Sequence, residues 1–273
     1  MLGGRGMFPV WPVAVNEKGG RMSTIELVGR RLMSLSRGFG DALTSALLPP
    51  VCCLCSAPGQ APGVDLCDVC ATFLPVLDDG SLSASGEPGQ WPDRGQVPGL
   101  VVREGTLVRT LFLFKYEYPV DHFIRALKFR GERVYARVLG ELMARSQRAR
   151  GWAAPACIVP MPLHFSRFRE RGFNQAQEIA RYAGAALGVP VDSRSLVRSL
   201  FTKEQSGLDL DERRRNVRSA FKVARPLPAG RIALVDDVVT TGSTAMAALQ
   251  ALGEAGAKEI ELWAAARVEK DYG

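Results

Sequence analysis

Two groups of residues in this chain have types and spacings suited to chemistry. The first is Leu234-Val235-Asp236-Asp237-Val238-Val239-Thr240-Thr241-Gly242-Ser243-Thr244. Residues 232–235 are wholly apolar and predict a buried strand, which delivers two carboxylates to a hydroxyl-rich turn and a helix opening at Ser243. Ligands of open α/β sheets bind beyond the carboxyl ends of strands. A helix start offers free N–H groups and partial positive charge. With the hydroxyls of Thr240, Thr241, Ser243 and Thr244, and the close backbone approach Gly242 allows, that suits a phosphate monoester. Adjacent carboxylates before such a cradle accept hydrogen bonds from vicinal hydroxyls, so the whole matches a ribose 5-phosphate. Helix capping after an acidic strand end explains these residues singly but not together. A Walker B strand would need a Gly-x4-Gly-Lys-Ser/Thr partner, and the sequence has none.

The second group is cysteine. Of 6 cysteines, Cys52, Cys53, Cys55, Cys67 and Cys70 fall close together and Cys157 stands apart. Cys52-x2-Cys55 and Cys67-x2-Cys70 form two knuckles, with Pro58, Gly59, Pro62 and Gly63 supplying turns between them. Four thiolates so placed satisfy tetrahedral Zn2+ in a closed, structural site, the metal standing in for a core that so short a stretch cannot build. Two disulfides or a redox Cys-x-x-Cys share this spacing but belong with export or redox contexts that nothing else in the sequence supports. Cys53 competes with Cys52 for the first ligand position only by breaking the two-residue spacing.

These groups must be held by folded elements, and the composition supplies the means. The 273 residues are 47% hydrophobic and 23% charged, ordinary globular usage that excludes collagen-like, coiled-coil and wholly disordered chains. A net charge of +7 favours anionic partners. No apolar run is long enough for a membrane helix, and Pro9 and Pro12 interrupt the one stretch resembling a signal peptide, so a cytoplasmic protein without membrane contact is expected. The expected organisation is a disordered leader over 1–22, a helix and four-cysteine module over 23–78, a Gly/Ser/Pro/Asp-rich linker over 79–99, and an α/β domain over 100–273. Within it, periodicity predicts strands at 107–118, 157–160, 221–223, 232–235 and 259–264, and helices at 121–129, 133–148, 174–187 and 243–253. Continuous rather than alternating apolar strands indicate a mostly parallel sheet covered on both faces.

The Asp-Asp-x2-Thr-Thr-Gly segment resembles the phosphoribosyl-pyrophosphate signature of type I phosphoribosyltransferases. Together with the double knuckle, Leu127-Lys128-Phe129, Pro160-Met161-Pro162-Leu163 and Arg171-Gly172-Phe173-Asn174-Gln175, it resembles the ComF family of phosphoribosyltransferase-like proteins, over residues 47–268. The resemblance implies a type I phosphoribosyltransferase-like fold carrying an N-terminal zinc finger, and a link to DNA uptake in natural transformation. It also implies residue roles. Asp236 and Asp237 would meet the ribose hydroxyls and the Thr240 to Thr244 turn the 5-phosphate, with Val238 and Val239 completing the phosphoribosyl-binding segment. Pro160, Met161, Pro162, Leu163 and His164, backed by Arg167, Arg169 and Arg171, would hold pyrophosphate, with Mg2+ accompanying the substrate. Arg198, Thr202, Lys203 and Gln205 would form a loop closing over the ligand. His164 receives no catalytic role. A non-catalytic alternative retains the site as a sensor, or meets single-stranded DNA and a competence helicase through basic surface and knuckle; against it, the sequence shows no aromatics interleaved with a basic patch.

Overall fold

The computed structural model describes residues 49–60, 64–77, 106–198 and 220–268. The expected leader at 1–22, the helix expected at 24–48, the linker at 79–99 and the loop residues Thr202, Lys203 and Gln205 lie outside them.

A parallel sheet organises what remains. Its strands β1 (Leu107–Lys115), β2 (Cys157–Pro160), β5 (Ile232–Val239) and β6 (Glu259–Arg267) lie in the order β1-β6-β5-β2, with every neighbouring pair parallel. A separate antiparallel pair joins β3 (Leu196–Arg198) to β4 (Phe221–Val223). Parallel strands need crossover connections, and these are helices. Two of them, α2 (Val120–Arg130) and α3 (Val134–Ala149), follow β1; α4 (Phe165–Arg171) and α5 (Gln175–Leu187) follow β2; α6 (Ser243–Glu254) joins β5 to β6.

Alternation along β5 sorts the core into two faces. Ala233 and Val235 point to the side covered by α2, α3 and α5, where Phe123, Leu127, Leu139 and Ile179 are fully buried. Ile232 and Leu234 point to the side covered by α6 and the β3–β4 pair, against Leu249, Leu252, Leu196 and Phe221. Because both faces are covered, both sets of side chains are apolar, which is why the strands read as unbroken hydrophobic runs. The packing of α3 against α5 is close enough to demand glycine: a Cβ on Gly140 would lie 2.6 Å from the Ile179 carbonyl oxygen and 2.7 Å from Tyr182 Cβ.

The cysteine module is built onto the α2/α3 side. Its short helix α1 (Asp68–Thr72) starts with Cys67 as N-cap. Val64 and Leu66 are fully buried in the same core cluster as α2 and α3. Asp65, only 3% exposed, forms an ion pair with Arg137 of α3, and Arg145 donates to Gln60 Oε1 at 2.6 Å. Residues 75–77 lie along β1, with Leu77 N–H donating to the Leu113 carbonyl at 3.1 Å and Lys115 N–H to that of Pro75 at 2.8 Å.

The expected α/β architecture with a mostly parallel sheet is present, and several boundaries move. Strand β5 runs four residues past Val235, because β6 continues to Arg267 and pairs with it as far as Val239, so the two aspartates are strand residues rather than part of a turn. Strand β1 ends at Lys115 rather than 118. Helix α4 occupies a stretch read as loop, and β3 had no separate expectation.

Candidate functional site

Strands β2 and β5 pair in register from Cys157 with Ile232 to Pro160 with Val235, so their carboxyl ends open side by side. The loop after β2 is tied to β5 at once: Met161 N–H donates to the Val235 carbonyl at 2.8 Å. Asn174, the N-cap of α5, donates from Nδ2 to the Met161 carbonyl at 2.9 Å and so fixes the loop from the other side. Between the loop and the end of β5 lies a cavity of about 230 Å3, lined by Met161 to Leu163, by Asn174 and Gln175, and by Lys128, Arg167, Arg171, Arg198, Asp236 and Asp237. Four cations and two carboxylates at the mouth of a parallel sheet are groups suited to an anion with a polar anchor.

A second hollow, about 100 Å3, is formed by the chain from Asp236 to Ala245 itself. Gly242 caps α6 at φ 74, a left-handed conformation that lets the chain turn under the helix start. Thr241 Oγ1 and Ser243 Oγ are 3.1 Å apart there. The two hollows share Asp236, Asp237 and Thr244, which places the hydroxyl cradle beside the cation-lined cavity.

The two acids differ. Asp237 Oδ2 lies 2.8 Å from Lys128 Nζ, and its Oδ1 accepts the Val238 N–H at 2.9 Å. Asp236 accepts the Asp237 N–H at 2.8 Å and faces the β3 side, where Arg198 lies. Burial, and then the neighbouring Asp237 charge, push the Asp236 carboxyl up to about 8. Burial also lowers the Arg198 guanidinium, opposed by Asp236. Arg198 Nε, Arg171 Nε and Gln175 Oε1 are buried without a hydrogen-bond partner among the described residues, an expensive arrangement unless a further group completes it.

Of the residues expected to form the pyrophosphate loop, Met161, Pro162, Leu163 and Arg171 line the cavity, and Pro160 is the last residue of β2. His164 instead caps α4, its Nδ1 accepting the Ser166 N–H at 3.3 Å. Arg169 is exposed and stacks on Phe165, its guanidinium carbon 5.7 Å from the ring centre. Arg167, expected with Arg169 and Arg171 to back the loop, lines the cavity as well, whereas Lys128 was assigned no role from the sequence. Lys128 did stand in the Leu127-Lys128-Phe129 segment, the one local signal that could have marked it.

In the module, the sulfurs of Cys52, Cys55, Cys67 and Cys70 all lie within 4.8 Å of one another, while Cys53 is outside the group. Cys55 and Cys67 Sγ are 3.6 Å apart, close to the ~3.8 Å that four sulfurs around one zinc at ~2.3 Å require. Burial works against ionisation of Cys52, yet backbone N–H groups, Cys67's foremost, hold its thiol down to about 6. Burial pushes Cys53 up to about 12, which keeps it a thiol packed against the core. The four-cysteine set fits a zinc knuckle.

The fold and site define a parallel α/β protein with a hydroxyl-rich turn at its strand ends and an attached four-cysteine knuckle. The chain belongs to the ComF family. It is 34% identical to competence protein F of Haemophilus influenzae over 159 residues, 56% of this chain and 69% of that protein. To DNA utilization protein YhgH of Salmonella typhimurium it is 30% identical over 225 residues, 81% of this chain and 98% of that protein. Competence protein ComFC of Streptococcus pneumoniae is 26% identical over 169 residues, 60% of this chain and 71% of that protein. No family model matches the chain. Among solved structures it is similar to a purine phosphoribosyltransferase from Pyrococcus horikoshii (TM-score 0.31, 18% identity, 59% of this chain, 89% of that one). A second is an adenine phosphoribosyltransferase from Leishmania tarentolae (TM-score 0.36, 13% identity, 58% of this chain, 91% of that one).

Proposed function

We propose that the site binds phosphoribosyl pyrophosphate, or a related phosphorylated ribose, with Mg2+, and transfers the phosphoribosyl group with release of pyrophosphate. The observation that carries this reading is the adjacency of the Asp236–Asp237 pair and the Thr240 to Thr244 cradle to a cavity lined by four cations. The carboxylates would hold the ribose hydroxyls and the cradle the 5-phosphate. The Met161 to Leu163 loop, Arg171 and Arg198 would take the pyrophosphate, satisfying buried nitrogens that have no hydrogen-bond partner among the described residues. Mg2+ arriving with the substrate would neutralise its oxygens. The chain's own part is positioning and charge stabilisation as the C1–oxygen bond to pyrophosphate breaks and an acceptor nucleophile bonds to C1. Thr202, Lys203 and Gln205 would belong to a loop that excludes water. Zn2+ in the four-cysteine knuckle would be structural, since all four ligand positions are protein thiolates. The names of the relatives, competence and DNA utilization, support a role in DNA uptake, acting from the cytoplasm.

The test is calorimetric titration of phosphoribosyl pyrophosphate with and without Mg2+, on wild type and Asp236→Ala/Asp237→Ala. Saturable binding lost in the double variant is expected; no binding by folded, zinc-loaded wild type would overturn the reading.

A second reading, as a single-stranded DNA-binding competence protein that meets a helicase, gains support from the interleaved phenylalanines and arginines of 165–171, which packing extends to Phe129. Phe129, Phe165 and Phe168 are exposed, and Arg171 and Arg169 stack on the first two at 5.3 and 5.7 Å. Aromatics and arginines so interleaved suit stacked bases on an anionic backbone. Salt-sensitive DNA binding that survives loss of the aspartates but fails in Phe165→Ala/Phe168→Ala would favour this reading over the first.

A further inference from the structure

Lys128 lines the cavity but is given no ligand contact in the reading above, and it holds one of the two aspartates. It stands in the last turn of α2, beside Leu127, which is fully buried in the core beneath the sheet's α2/α3 face. That packing carries the end of α2 over the carboxyl end of β5. The lysine stem is mostly covered, its side chain 19% exposed, and its ammonium meets an Asp237 side chain only 9% exposed. Successive residues of a strand face opposite ways. Asp237 therefore turns toward α2 and Lys128, and Asp236 toward β3 and Arg198. Both Asp237 oxygens are engaged, one by Lys128 and one by the Val238 N–H. Asp236 has no ion-pair partner among the described residues and borders both hollows.

We propose that Lys128 is a positioning residue of this site: by pairing with Asp237 it fixes that carboxylate as an internal anchor and leaves Asp236 as the one that meets the ribose hydroxyls. The proposal rests on the phosphoribosyl reading and divides between two residues the task that reading gives to both. Without the lysine, Asp237 would lose its counter-charge, and the only cations left at the cavity would be Arg167 and Arg171 from α4 and Arg198 from β3. Like charges so close do not both ionise readily, so the pair, which already binds a proton near neutral pH, would hold it to still higher pH, and ligand binding would have to expel it.

The experiment is a double-mutant cycle read by calorimetry with phosphoribosyl pyrophosphate and Mg2+, on wild type, Lys128→Met, Asp237→Asn and the double variant. Lys128→Met is expected to weaken binding about tenfold at pH 7 and to recover much of it by pH 9, because removal of the cation raises the proton affinity of the acid pair. In the Asp237→Asn background the same substitution should change affinity by less than about threefold, since the lysine would act through that aspartate. Lys128→Arg should bind as wild type does. Independent losses that multiply in the double variant, a pH-independent loss, or no loss at all would each overturn the proposal. If Lys128→Met does not fold, Lys128→Arg decides alone, and a tenfold loss there overturns it. Failure of wild type to bind would instead remove the phosphoribosyl reading, and this proposal with it.

Discussion

Asp236→Asn should make the protein more stable at neutral pH while removing its ligand site. The folded protein raises the Asp236 carboxyl from its ordinary 3.8 to about 8, through burial first and the Asp237 charge second. The folded state therefore keeps the proton to higher pH than the unfolded chain does. Ionising Asp236 costs folding free energy, so stability falls as pH rises between those two values, the reverse of the usual salt-bridged carboxylate. Each unit is worth about 1.4 kcal/mol, so the span from 3.8 to 7.5 sets a ceiling of about 5 kcal/mol. Asp236 keeps some contact with solvent and the site can relax, so a gain of about 1–3 kcal/mol for the asparagine is the realistic expectation. At pH 5 only about a third of the span is in force, and the gain should shrink in proportion. Asparagine preserves the acceptor for the Asp237 N–H, so that hydrogen bond is not lost in the comparison.

Urea unfolding of wild type and Asp236→Asn at several pH values between 5 and 8 measures the difference directly, because titrating groups not coupled to Asp236 cancel between the two. A gain that grows with pH is expected. A variant less stable than wild type at pH 7.5, or a difference that does not change with pH, would refute the account of Asp236 as a carboxylate held against its own ionisation.

Three further outcomes test the scaffold. Gly140→Ala gains roughly 1 kcal/mol in helix propensity, but its Cβ meets backbone on α5 at 2.6 Å, and overpacking of ~2–3 kcal/mol should win, visible as a lowered Tm. Arg137→Met strands the buried Asp65 carboxylate and should cost about 2–4 kcal/mol, whereas Asp65→Asn/Arg137→Met should cost clearly less; equal costs would show that the ion pair is not what anchors the module. Cys67→Ser should bring zinc content well below one ion per chain and lower the Tm of the whole unit, not of a detached finger, because Val64 and Leu66 belong to the core shared with α2 and α3.

Local pattern carried most of the strands and helices. Apolar runs located β2 and β5, and Ser243 opens α6 where the Thr-Thr-Gly-Ser segment placed a helix start. What local pattern missed has physical causes. Helix α4, Phe165-Ser-Arg-Phe-Arg-Glu-Arg, buries no residue, so it has no apolar stripe to read; it is held by the His164 cap at one end and by Gly172 at φ 75 at the other. The length of β5 past Val235 was invisible because charge argues against a strand interior, and it is the register with β6 that carries the ladder through both aspartates. The aromatic and arginine interleaving around α4 joins Phe129 of α2 to Arg171, residues that only the packing of α2 against the end of α4 brings within 5.3 Å.

The pairing of Lys128 with Asp237 belongs to the same class, and it bears on how the acidic motif should be understood. Read as sequence, the two acids are interchangeable ligands for a diol. On a strand they cannot be, because alternation turns them to opposite faces. One face is covered by helices packed on Phe123, Leu127 and Ile179, and a carboxylate turned that way requires a cation from one of those helices, which Lys128 supplies at 2.8 Å. The other face lies toward Arg198, and the carboxylate there has no ion-pair partner among the described residues. A strand end carrying two adjacent acids thus builds one anchor and one acceptor from identical residues. The substitution Asp237→Asn should accordingly leave Lys128 without its counter-charge and disturb α2, whereas Asp236→Asn should spare the scaffold and abolish ligand binding.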